Sequence, residues 1–232
     1  MIRFLSILTI ILGVLNASQS ALNAFKNQDY ELAFKLYSLD AHRGDTEAQN
    51  AMSYLYFNGL GVEQSSAKGL RWISCAADHN DSVAQYDLGM MYLSGYNVEK
   101  NSSQAFSWLE RSSKLDHTQA QYNLALMYYR GDAVDENVTK AAQLLESAAL
   151  KGHVEATQNV GRIFMQLLKF DKAAKWLEKN AQSGDTDAYY LLAEIYCEQE
   201  KFVKAKKWAE KAINSKNVAA KELWDKYNLE KY

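Results

Sequence analysis

Ser65-Ser66-Ala67-Lys68 places a hydroxyl and an amine about one helical turn apart, an arrangement by which some serine enzymes activate a nucleophile for acyl transfer. Acyl transfer also needs oxyanion donors and a base in a shared pocket, and the sequence around Ser65 identifies neither. Thirty-six residues further on, Asn101 and Gln104 stand in the same places, so the more economical role for Ser65 is to cap a helix. His42, His79, His117 and His153 follow one another at intervals of 37, 38 and 36 residues. A zinc site needs three or four ligands converging on one point, whereas residues at such intervals form a row. Cys75 and Cys197 are the only cysteines. Cys75 precedes Ala76-Ala77 and reads as a small buried hydrophobe. Neither a Gly-x-x-x-x-Gly-Lys-Ser/Thr phosphate loop nor a Gly-x-Ser-x-Gly elbow occurs. Catalysis, metal and cofactor are therefore not expected.

The elements that would position these residues repeat along the chain. Ala48, Ala84, Ala120 and Ala156 are 36 residues apart, and Ala188 follows after 32. Trp72, Trp108, Leu144, Trp176 and Trp208 are spaced by 36, 36, 32 and 32, each with a small residue three positions earlier: Gly69, Ala105, Ala141, Ala173 and Ala205. Gly59, Gly95 and Gly131 recur at 36 as well. Three rulers in step identify a repeat protein. Each unit reads as two helices. In the third, Ala120, Leu124, Ala125 and Tyr128 form one apolar stripe at helical spacing, and Ala141, Leu144, Leu145, Ala148 and Ala149 form another. One such hairpin buries too little to fold alone, and stacking on its neighbours completes the core. Cys75 and Cys197 fall in units one and five, too far apart in such a stack for a disulfide.

Ala84-Gln85-Tyr86-Asp87-Leu88-Gly89-Met90-Met91-Tyr92-Leu93-Ser94-Gly95 and Ala120-Gln121-Tyr122-Asn123-Leu124-Ala125-Leu126-Met127-Tyr128-Tyr129-Arg130-Gly131 resemble the first half of a Sel-one-like repeat (SLR), a relative of the tetratricopeptide repeat (TPR). The second half is matched by Ala105-Phe106-Ser107-Trp108-Leu109-Glu110 and by Glu146-Ser147-Ala148-Ala149-Leu150-Lys151-Gly152-His153. Where the family often has proline in the loop, this chain has Glu63, Glu99 and Asp135. The resemblance implies an all-α, right-handed α-solenoid of stacked helix-turn-helix repeats with a C-terminal capping helix. Its parts would be an N-terminal TPR-like half repeat over 21–43, three SLR units of 36 residues over 44–152, two shorter TPR-like units over 153–217, and the capping helix over 218–232. Some secreted relatives with a cysteine pair in each repeat bind or hydrolyse β-lactams. This chain lacks those pairs, and β-lactam chemistry stands as the alternative to a binding role.

Residues 1–20 read as a secretory signal peptide. Arg3 precedes an apolar run from Phe4 to Leu15, and the small polar stretch Asn16-Ala17-Ser18-Gln19-Ser20-Ala21 offers cleavage after Ser20 or Ala17. The run is twelve residues long, against about 20 for a bilayer span; an uncleaved anchor is the other reading. The expected location is the periplasm or the extracellular space.

The 232 residues carry a formal net charge of −2 and are 48% apolar. These values exclude wholesale disorder and the sequence-independent phosphate attraction of most nucleic-acid binders. Asn80, Asn101 and Asn137 open glycosylation sequons. Residues 201–232 hold nine lysines against four acids, a basic end most simply read as a solvated face.

In TPR-type solenoids the first helix of each repeat lines the concave side. The residues then offset from the core stripe are Tyr54, Phe57, Tyr86, Met90, Leu93, Tyr122, Leu126, Tyr129, Tyr190 and Glu194, together with Asn50. Tyrosine offers a large contact area with a polar tip, which binding surfaces favour. These residues are the expected groove for a protein or peptide partner, presented by a monomer with no nucleic acid and no stable membrane insertion.

Overall fold

The computed structural model describes residues 19–232. The expected leader lies outside the described residues except for Gln19 and Ser20, which are helical. The described residues fall into two compact units that divide between Ala120 and Gln121. All regular structure among them is helical.

The first unit holds α1 (helical over 19–26), α2 (Tyr30–His42), α3 (Thr46–Asn58), α4 (Ser66–Asp78), α5 (Ser82–Ser94) and α6 (Ser102–Lys114). Successive helices from α2 to α6 pack on one another as stacked hairpins. Helix α7 (Thr118–Arg130) runs across the division. The second unit continues with α8 (Val138–Leu150), α9 (Val154–Gln166), α10 (Phe170–Gln182), α11 (Asp187–Glu198) and α12 (Phe202–Asn214), again packed in succession. Helix α13 (Val218–Tyr227) packs on α11 and α12, and a 3-10 turn, Leu229–Lys231, folds back on α12. Each unit is thus a pile of helical hairpins of the SLR/TPR type, and the second ends in a capping helix.

Side-chain caps open many of the helices, whereas α10, α11 and α12 start without one. Asp45 and Asp81 accept from the backbone N–H of Ala48 and Ala84 at 2.7 and 2.8 Å, opening α3 and α5. Ser65, Asn101 and Asn137 do the same for α4, α6 and α8. Each cap satisfies one of the donors that a helix N-terminus leaves unpaired. Gly59 and Gly95 end α3 and α5 in the left-handed conformation, which costs glycine nothing.

The periodic positions are the core. Ala48, Ala84, Ala120, Ala156 and Ala188 are buried, as are Gly69 and Ala105, Ala141, Ala173 and Ala205 of the second helices. These small residues bring backbones together so closely that a Cβ on Gly69 would sit 2.7 Å from the Phe57 ring. Leu88, Leu109, Leu145, Leu177 and Leu192 fill the space between, each contributing roughly 1.5–3 kcal/mol of burial. The third-unit stripe holds, with one difference: Leu144 is only half-buried. The tryptophan positions behave likewise. Trp72, Trp108 and Trp208 are half-buried and Trp176 is buried, so the ring covers the outside of the core more often than it fills it.

A buried polar series accompanies the apolar one. Gln49 and Gln85 are almost wholly buried and donate through Nε2 to the carbonyls of Ala41 and Ala77, at 3.1 and 2.9 Å. Each bond ties the first turn of one repeat to the end of the preceding helix. Gln121, one period on, accepts from Ser147 and Lys151.

Candidate functional site

Helices α3 and α5 are the first helices of neighbouring repeats in the first unit, and a groove of about 350 Å³ opens between them. From α3 it takes Asn50, Ser53, Tyr54 and Phe57; from α5 it takes Asp87, Met90, Met91 and Ser94. Ile73 of α4 closes the floor, and Tyr96, in the loop after α5, stands at one end. These positions recur every three or four residues along each helix, so the helical period alone aligns them on one face. The walls are apolar and aromatic. Tyr54 is 53% exposed, and its ring meets Phe25 edge to face at 5.9 Å. Phe57 is buried, with Tyr96 tilted against it at 6.4 Å between ring centres.

Asp87 gives the groove its charge. Burial, reinforced by the nearby Asp81 carboxylate, raises its pKa to about 6, and a hydrogen bond from Asn50 pulls the other way. Among the described residues lining the groove, Asp87 alone carries a charge. Ser53 lines the same groove with 1% exposure, and its hydroxyl has no hydrogen-bond partner.

Of the residues expected to form a groove, Tyr54, Phe57 and Met90 therefore line one cavity, with Asn50 beside them. Tyr86 is half-buried on the same helix as Met90, but its ring stacks on His117 at 4.8 Å. Leu93 is half-buried at the end of α5. In the second unit, Tyr122 stacks on His153 at 4.4 Å. On α7, Leu126 is half-buried and Tyr129 is exposed. Tyr190 and Glu194 of α11 are hydrogen-bonded to each other. Burial raises the pKa of both, and Glu198 adds to the rise at Glu194. A polar depression of about 560 Å³ in this unit, at Thr157, Gln158 and Asn180, includes none of the expected residues. Asp87 and Ser53 escaped the sequence reading. Asp87 sits within the quoted repeat motif where the next repeat has Asn123, and that change from acid to amide was the available signal.

The residues with chemical potential take structural roles. Ser65 is the N-cap of α4, its hydroxyl accepting from Lys68 N at 3.3 Å. The histidines serve two different purposes. His117 and His153 accept from the N–H of Ala120 and Ala156 at 3.3 Å, as the aspartates do in the earlier repeats. Burial lowers the pKa of His117, which suits the neutral form an acceptor needs. His42 and His79 lie at helix ends, where Nδ1 meets the carbonyls of Ser38 and Cys75. Both cysteines are free. Cys197 is buried and its pKa is pushed up to about 11, chiefly by burial. Cys75 is half-buried, not enclosed: Lys68, Arg71 and Trp72 share its shallow pocket, which keeps one side of the thiol open. Among the described residues, no group of three or more His, Cys, Asp or Glu could hold a metal ion, and no helix is long and apolar enough to cross a membrane.

Hairpin stacks with an apolar face on their first helices define a class of repeat proteins. The Sel1 repeat model matches residues 24–45, 46–81, 82–117, 118–153, 168–185 and 186–217, well over half of the chain, and the chain belongs to this family. A Sel1 repeat protein from Oxalobacter formigenes is 35% identical, with 53% of this chain and 93% of that one covered and a TM-score of 0.53. The protective antigen c5321 of uropathogenic Escherichia coli, which displays an SLR fold, is 26% identical with a TM-score of 0.70. The match covers 92% of this chain but only 49% of that one, so this chain spans about half its length. The structure of Naa15/Naa10 bound to HypK-THB, 15% identical with a TM-score of 0.56, shares the fold. No curated protein matches the chain.

Proposed function

We propose that this chain is a protein-protein interaction scaffold whose binding surface is the groove between α3 and α5. Repeat scaffolds of this kind typically bind other proteins, and the similar fold of Naa15/Naa10 bound to HypK-THB is an instance of such an assembly. The observation that carries the reading is the convergence of Tyr54, Phe57 and Met90 on one open apolar cavity. Water is displaced from that face when a partner covers it, which is the principal driving force for association. No bond need be made or broken. The leader-like N-terminus supports delivery across a membrane to the periplasm or beyond. Replacing Tyr54 and Met90 together with alanine tests the surface by affinity capture from the cell envelope. Loss of the captured protein, with helical content and melting unchanged, is the expected result. Undiminished capture by a folded variant removes the groove as the binding face. Fractionation of cells expressing the full chain tests secretion, and retention of the unprocessed chain in the cytoplasm would contradict it.

A further inference from the structure

The chemistry of the groove narrows what can occupy it, granted that the groove is the binding surface. A carboxylate half-withdrawn from water is poorly solvated, and it is stabilised by an opposite charge. In the free chain Asp87 meets Asn50 and the like-charged Asp81, and no cationic side chain contributes to its surroundings. Neither lysine nor arginine lines the cavity. Ser53 lines the same cavity, and its buried hydroxyl has no hydrogen-bond partner. Around them stand Tyr54, Phe57 and Tyr96, whose ring faces attract cations. Met90 adds an adaptable apolar wall suited to an aliphatic stem.

We propose that the groove between α3 and α5 receives a basic side chain, lysine or arginine, from an apolar stretch of a partner polypeptide. The Asp87 carboxylate is its counter-ion, and the aromatic walls flank its stem. The same charge repels acidic and phosphorylated segments, so selection works by exclusion as well as attraction.

The test uses three synthetic peptides, acetyl-Ala-Phe-X-Phe-Ala-amide, with X as lysine, norleucine or glutamate. Each is titrated into the full chain carrying 13C-methyl methionine. Met90 and Met91 report on the groove, and the buried Met52 reports on the fold. The lysine peptide is expected to shift Met90 and Met91 saturably, with a Kd at least tenfold below that of norleucine; glutamate binds more weakly still. Asp87→Asn should reduce the lysine preference to less than twofold while Met52 stays in place. Equal binding of lysine and norleucine overturns the cation assignment but leaves the groove as a docking surface. A preference that survives Asp87→Asn overturns the role of Asp87. No shift with any peptide brings down both this inference and the function on which it rests.

Discussion

Asp87→Asn changes one oxygen to nitrogen and removes a charge from the groove. Asn50 can go on donating to the side-chain oxygen, so the local hydrogen bond survives. The carboxyl pKa rises from 3.8 to about 6 on folding, and a raised carboxyl pKa means that the folded chain holds its proton more tightly than the unfolded one. The stability that the neutral group contributes is fully present below pH 3.8 and is lost as pH rises through about 6. A shift of about two units corresponds to about 3 kcal/mol. Solvent reaching the open groove screens part of it, leaving about 1–2 kcal/mol. Asp87→Asn should therefore match the wild type at pH 3.5 and exceed it by about 1–2 kcal/mol at pH 7.5. Urea denaturation followed by circular dichroism, across that pH range and in both proteins, measures the difference. An asparagine variant no more stable than the wild type at pH 7.5, with no pH dependence in the difference, would refute the claim that Asp87 is held ionised against its surroundings.

Three further outcomes follow from the geometry. Gly69→Ala places a Cβ 2.7 Å from the Phe57 ring; overpacking of about 1–3 kcal/mol outweighs the helix-propensity gain of at most about 1 kcal/mol. Thermal melting should fall and Phe57 should move in the groove, whereas a raised melting temperature would show that the ring yields freely. Ser65→Ala removes the α4 cap and should cost about 1 kcal/mol in denaturant titrations; saturable turnover of a chromogenic β-lactam, lost in this variant, would restore the enzymatic alternative. His117→Asn keeps an N-cap acceptor that does not titrate. Since burial lowers the histidine pKa, its contribution is present above pH 6.5 and lost as pH falls below it. The stability of the variant relative to wild type should therefore improve between pH 6.5 and 5, and a flat difference would count against His117 as the cap.

Much of the fold was legible because a solenoid writes its architecture into the sequence at fixed intervals. The alanines at 48, 84, 120, 156 and 188 and the small residues before each tryptophan position had to be buried, and they are. The site was legible only in part. Helical periodicity put Tyr54, Phe57 and Met90 on one face, but it could not say which aromatic rings find partners closer at hand. Tyr86 and Tyr122 stack on the capping histidines of the following repeat, a contact between residues about thirty positions apart. Asp87 was overlooked because its character comes from burial by neighbours, not from its own identity. Nothing in its motif marks Gln85 as buried. Its burial depends on the Ala77 carbonyl supplied by another helix.

Site-specific photocrosslinking in living cells tests the central claim most directly. A benzophenone side chain at position 54 replaces a residue that lines the groove, and one at position 203, where Val203 is 70% exposed on α12, replaces a residue that does not line it. The account predicts a discrete crosslinked partner from position 54 and none of that mass from position 203. The same adduct from both positions, or from position 203 alone, would contradict it.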